Sequence, residues 1–125
     1  MNNKGNVVIH LDGDDIGNRI ELLLLDGNLE EASRLSLQIT AAMNQLRRSL
    51  ERVADLRIHL FGGDDLIATF RPKSISKEEL NGLRDEFKAN CTLTISGGIG
   101  LSVQEALMNL RRAKLSGKNC LVGDV

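Results

Sequence analysis

The sequence predicts an α+β fold in the ferredoxin-like βαββαβ order, an antiparallel sheet with helices on one face, and three observations predict it. Stretches with strand-type alternation interleave with stretches of helical spacing along the whole chain of 125 residues. The middle segment "RIHLFGGDDLIATF" reads as apolar strand, glycine turn, apolar strand, a β-hairpin central to the chain with GGDD at its apex. Two Ser-x-x-Glu patterns, Ser76 with Glu79 and Ser102 with Glu105, mark helix starts on either side of a β-branched strand. The length suits one domain with one core, spanning residues 1–125.

Taken in order, "NVVIHLD" alternates Val7, Ile9 and Leu11 against Val8, His10 and Asp12, which is a strand whose second face ends in a carboxylate. "DDIGNRIELLLL" then spaces Ile16, Ile20, Leu23 and Leu24 as a short helix, with Asp14 and Asp15 expected in its first turn. From Leu29 to Val53, Ala32, Leu35, Ile39, Ala42, Leu46 and Leu50 recur at steps of three and four, the pattern of a long core-covering helix capped by Asn28. The hairpin follows, closed by "RPKS" with the only proline. Ser76 opens a helix to about Lys88, "CTLTISGGIGL" supplies a strand, Ser102 opens a last helix stopped at Gly117, and "NCLV" forms a short final strand.

Composition excludes several functions. A net charge of -1 argues against holding long nucleic acid through its phosphates, and three Phe with no Tyr or Trp leave no platform for stacking bases. Cys91 and Cys120 lack the paired spacing of a zinc site, and both are expected to stay reduced. No apolar run is long enough to span a membrane, so a cytoplasmic protein is expected.

Chemistry concentrates at the strand ends. In the βαββαβ plan the first strand lies beside the returning hairpin strand, with its end level with the turn, so Asp12 and Asp64 are expected to converge. Two carboxylates and the Gly13 carbonyl are hard oxygen ligands for Mg²⁺, with Asp65 the nearest further ligand for a second ion. The alternative for Asp64 is that it satisfies turn amides. The turn "LDGDDIGN" leads through Gly13 into a helix N-terminus that favours an anion. Asp14 and Asp15 stand at that turn and either share in nucleotide binding or cap the helix. Lys114 and Lys118, four apart near the end of the last helix, can hold phosphates or simply complement the helix dipole. His10 and His59 lie on strands, where packing or a surface position is expected. No Ser/His/Asp or Cys/His arrangement and no P-loop is present.

The stretches "HLDGDDIGN", "FGGDDL" and "LTISGGIGLSVQEALMNLRRAKLSGKN" together resemble the palm-type nucleotidyl cyclases, which include GGDEF diguanylate cyclases and the polymerase subunit of type III CRISPR complexes. With GGDD in place of GGEEF, the chain most resembles the minimal CRISPR polymerase group, over nearly its whole length and with the motifs in the family's order. The resemblance implies a palm-type fold, with Asp12 and Asp64 as catalytic metal ligands, Gly13 lending its carbonyl and Asp65 assisting. It implies that Gly62 and Gly63 let a nucleotide approach the hairpin and that Lys114 and Lys118 contact its triphosphate. The implied reaction is attack of one nucleotide's ribose hydroxyl on the α-phosphate of another, repeated to close a ring, with Mg²⁺ or Mn²⁺ as cofactor. Where diguanylate cyclases carry a guanine-reading Asn, this sequence has Ile20, which speaks against guanine recognition; the minimal polymerase group is associated with adenine nucleotides, so the resemblance to it implies ATP as preferred substrate. It further implies a homodimer that completes each site, a role in antiviral defence and a downstream effector sensing the product. The competing expectations are a palm-fold GTP hydrolase that opens the purine ring, and a non-catalytic nucleotide-binding module.

Overall fold

The computed structural model describes residues 6–125, in which five strands and four helices follow the order β1 (Val7–Gly13), α1 (Ile16–Leu25), α2 (Leu29–Glu51), β2 (Arg57–Gly62), β3 (Asp65–Phe70), α3 (Lys77–Cys91), β4 (Ile95–Gly100), α4 (Val103–Leu115) and β5 (Leu121–Val122). They form one sheet in the order β2-β3-β1-β4-β5. Its first four strands are the ferredoxin-like arrangement, so the α+β fold class read from the sequence is the one observed.

Two details differ from that reading. β5 pairs in parallel with β4, so the sheet is mixed and not wholly antiparallel. The reason is connectivity: α4 carries the chain back across the sheet before β5 begins, the crossover that parallel neighbours require. Helices also cover both faces. Val7, Ile9 and Leu11 point into a core with Ile39, Met43, Leu46 and Leu50 of α2 and Leu80 and Phe87 of α3. α4 packs on the opposite face, where a Cβ added at Gly98 would stand 1.9 Å from the Ala106 carbonyl oxygen and 2.2 Å from the Leu110 nitrogen. Only glycine lets a helix backbone approach a strand so closely, which is why the "ISGG" segment accepts a helix where a β-branched residue would repel it.

Local signals account for the element ends. Asn28 accepts from the Glu31 N–H at 3.2 Å, and Ser76 and Glu79 form a reciprocal capping box at 3.0 Å in each direction. Ser102 accepts from the Glu105 N–H at 3.1 Å, while the Glu105 carboxylate accepts from the Leu101 N–H at 3.0 Å. α1 begins after the acidic pair and not upon it: Asp14 and Asp15 precede Ile16, and the first turn itself holds no acid. Asp15 takes a left-handed conformation, φ 56°, which turns the chain off β1 before the helix can start. Among the described residues no helix is long and apolar enough to cross a membrane.

Candidate active site at the β1 end and the hairpin tip

β1 is paired on both sides, with Asp12 opposite Asp65 of β3 and opposite Ser96 of β4. The β2–β3 hairpin closes through Gly63 and Asp64 alone, since Gly62 and Asp65 are already paired. Gly63 supplies the positive φ of 56° that such a short connection needs. Beyond the last strand pair, the Gly13 N–H donates to the Asp64 carbonyl oxygen at 2.9 Å. A Cβ at Gly13 would fall 2.8 Å from Asp64 Oδ2 and 2.9 Å from Asp64 Cβ, so glycine is what allows the hairpin tip to close on the strand end. Asp12, Gly13, Asp64 and Asp65 are thus brought together at one sheet edge.

Their proximity has an electrostatic consequence. Burial, then the charge of Asp12 and the charge of Asp65, push the Asp64 carboxyl above the ordinary aspartate value. Lys114 reaches into this cluster from α4: its Nζ donates to the Gly13 carbonyl at 2.8 Å and to Asp14 Oδ1 at 2.8 Å, and lies 3.1 Å from Asp12 Oδ2. Burial works against the Lys114 charge, but hydrogen bonds with Asp14 and Asp12 outweigh it and hold the ammonium above its ordinary pKa.

Asp14 has a part that the sequence did not disclose. It is 5% exposed and accepts from Thr94 Oγ1 at 2.7 Å, Ser96 Oγ at 2.8 Å and the Asn119 N–H at 2.9 Å, besides Lys114. Burial raises its pKa, yet these four donors reverse the shift and leave it below the ordinary value. Asp14 therefore fastens the β1–α1 turn to β4 and to the loop after α4. Asp15 is exposed and pairs with Lys118 at 2.7 Å, which places Lys118 at the same turn, held on a carboxylate. Gly62 is open, with nothing within 4 Å of an added Cβ.

His10 is the residue whose expected role the structure corrects. Its Nε2 lies 2.9 Å from Asp65 Oδ1, and its ring lines a cavity of about 420 Å³ with Asp12, Leu107, Arg111, Lys114 and Leu115. The alternation of β1 carried that signal, because residues two apart on a strand share a face and Asp12 was already a candidate. His59, by contrast, is a surface residue on β2, 2.8 Å from Thr69 Oγ1.

The donors gathered here are hard oxygens, of the type Mg²⁺ and Mn²⁺ take. Among the described residues no group of three or more His, Cys, Asp or Glu side chains is placed to hold a metal ion. A cation at this edge would draw on carboxylate, backbone carbonyl and oxygens of a substrate. The site accepts positive charge, since the Lys114 ammonium rests among such oxygens.

No curated protein matches the sequence. Among solved structures, a chain of a Csm1–Csm4 cassette in complex with one ATP is similar with a TM-score of 0.65 at 22% identity, over 94% of this chain and 20% of that one. A microbial GGDEF domain, described in its interaction with cyclic di-GMP, is similar with a TM-score of 0.59 at 21% identity, over 95% and 76%. The diguanylate cyclase SiaD from Pseudomonas aeruginosa, in complex with its activator SiaC, has a TM-score of 0.59 at 16% identity, over 95% and 50%. The chain thus spans about half of SiaD and a fifth of the cassette chain, and at these identities the likeness is one of fold. The sequence itself matches the minimal CRISPR polymerase domain over residues 8–123, so the chain belongs to the minimal CRISPR polymerase family of palm domains.

Proposed function

We propose that this chain is a metal-dependent nucleotidyltransferase that joins nucleoside triphosphates, ATP preferred, into a cyclic di- or oligonucleotide and releases pyrophosphate. The observation that carries this reading is the junction of Asp12, Gly13 and Asp64 at the sheet edge, with Lys114 and Lys118 beside it. Asp12, Asp64 and the Gly13 carbonyl would hold Mg²⁺ or Mn²⁺, with Asp65 as a further ligand or as an assistant on the acceptor side. Bound there, the ion would neutralise triphosphate charge and favour ionisation of the attacking hydroxyl. The new bond runs from a ribose oxygen of one nucleotide to the α-phosphorus of another, and the bond to pyrophosphate breaks.

The chain's own residues prepare this step. Gly62 and Gly63 keep side chains away from the hairpin tip, where a nucleotide must approach. Lys114 and Lys118 offer ammonium groups to phosphate oxygens, and Asp14 holds the first directly and fixes the loop that carries the second. His10 holds Asp65 by a hydrogen bond, so that carboxylate is oriented before substrate arrives. Ile20 is packed partly against the core and offers no amide to read guanine, and the preference for ATP follows the family resemblance.

Purified chain incubated with ATP, GTP and Mg²⁺, with products identified by mass spectrometry, tests the reading. Linked nucleotide and pyrophosphate that vanish on chelation are expected; their absence from every nucleotide mixture with folded protein refutes it. Release of formate from GTP would favour ring opening instead. The proposal extends to a homodimer in the cytoplasm whose product signals to an effector in antiviral defence, and specific activity that rises with protein concentration tests the dimer.

A further inference from the structure

Four oxygens surround the Lys114 ammonium: the carbonyls of Gly13 at 2.8 Å and Asp12 at 3.2 Å, Asp12 Oδ2 at 3.1 Å and Asp14 Oδ1 at 2.8 Å. Two of them, the Gly13 carbonyl and the Asp12 carboxylate, are the donors assigned above to the divalent cation. A metal ion drawing on those atoms would stand within a few ångströms of the ammonium, where two cations repel and weaken each other's hold. The oxygen cage around Lys114 is therefore the cation seat, filled from within.

The two sides of this contact differ in freedom. Asp14 is anchored by Thr94, Ser96 and the Asn119 N–H, and its side chain is 3% exposed. The Lys114 side chain is 24% exposed and enters from the last turn of α4 on four methylenes, so the ammonium can leave while the carboxylates stay. What it requires is another set of oxygens, and a triphosphate supplies them.

We infer that Lys114 is a resident counter-cation, which holds the metal's place on Asp12 and Gly13 in the nucleotide-free chain and yields it only when a triphosphate takes over the ammonium. Asp14 is the positioning residue that keeps the lysine at this address. The inference rests on reading the site as a metal–triphosphate centre. It means that metal and nucleotide bind as a coupled pair, each raising the affinity of the other by the same factor. The free chain then carries an acidic cluster whose charge Lys114 offsets in part, and it collects metal only weakly without substrate.

The test measures Mn²⁺ binding by electron paramagnetic resonance, with and without α,β-methylene ATP, which cannot release pyrophosphate. In the wild type, Mn²⁺ alone is expected to bind weakly and the analogue to tighten it by about tenfold or more. Lys114→Met should bind Mn²⁺ alone about tenfold more tightly than wild type, with the enhancement by the analogue largely lost. Lys118→Met removes an equal charge that rests on Asp15 outside the cage, and it should leave the affinity for Mn²⁺ alone within about twofold. Equal tightening in both variants, or none in Lys114→Met, overturns the inference.

A measurement on the unaltered chain covers the case in which Lys114→Met does not fold. With ¹³C-labelled lysine, the Lys114 Cε resonance should stay in place on adding Mg²⁺ alone and move when the analogue joins it. A resonance that moves equally with Mg²⁺ alone, or stays put with both, counts against the proposal. Failure to form any linked nucleotide would instead refute the synthase reading, and the Mn²⁺ comparison would still decide this one.

Discussion

The Gly13 N–H donates to the Asp64 carbonyl oxygen at 2.9 Å, which ties the end of β1 to the tip of the hairpin through backbone alone. Because no side chain makes this bond, the Asp64 carboxylate is held near Asp12 whether or not the pair is comfortable. It is not: burial, Asp12 and Asp65 all disfavour its charge. Proteins commonly accept such local strain where a ligand will relieve it.

Replacing Asp64 by Asn should therefore separate activity from stability. Product formation is expected to fall on the order of 100-fold or more if Asp64 is the metal ligand proposed above. The melting temperature at pH 7 should rise by about a few degrees, because the variant carries no charge to repel Asp12. The sign follows from the raised pKa: the wild-type penalty is present above that value and vanishes below 3.8, where Asp64 is protonated both folded and unfolded. Melting curves at pH 7 and pH 3 check it, and a variant less stable than wild type at pH 7 would contradict it.

Asp14→Asn is expected to act the other way. It weakens bonds from Lys114, Thr94, Ser96 and the Asn119 N–H within a buried network, at a cost of about 2–4 kcal/mol. Because the Asp14 pKa is lowered, the stability it provides is present above the ordinary value of 3.8 and is lost as pH falls further. The gap between wild type and variant should thus be widest near neutrality and shrink below that pH. Urea unfolding at several pH values measures it directly.

Gly98→Ala should loosen the active site from a distance. The new methyl group meets the α4 backbone at 1.9 Å and 2.2 Å, and neither partner can rotate aside. Overpacking of this kind costs about 1–3 kcal/mol, and more where backbone must shift. Since α4 carries Lys114, activity should drop together with the melting temperature, and the Lys114 Cε resonance should move.

Gly62→Ala offers the contrast. Nothing in the chain lies within 4 Å of the added carbon, so the melting temperature should hold or rise slightly. If the open space belongs to a nucleotide, KM for ATP should increase severalfold with folding intact. An unchanged KM would show that the nucleotide does not approach the hairpin there.

Much of the fold was legible because its signals are local. The alternation of Val7 to Asp12, the caps at Asn28, Ser76 and Ser102, and the glycine hairpin each require only neighbouring residues, and the structure repeats them almost residue for residue. The meeting of Asp12 with the hairpin tip was legible one step further on, since the strand order fixes which ends are level. The placement of α4 on the opposite face was not, because Gly98 reads as a weak strand residue until a helix is packed against it.

What the sequence by itself determined was the set of elements and the carboxylates that share one sheet edge, for those follow from periodicity and from glycine and capping chemistry. Only the tertiary structure decided which acid touches which base. Lys114 meets Asp14 100 residues away, Lys118 meets Asp15 and His10 meets Asp65, across 103 and 55 residues. Such pairings depend on packing distances between elements, to which no short stretch of chain is sensitive, and they set Lys114 among the oxygens of Asp12, Gly13 and Asp14.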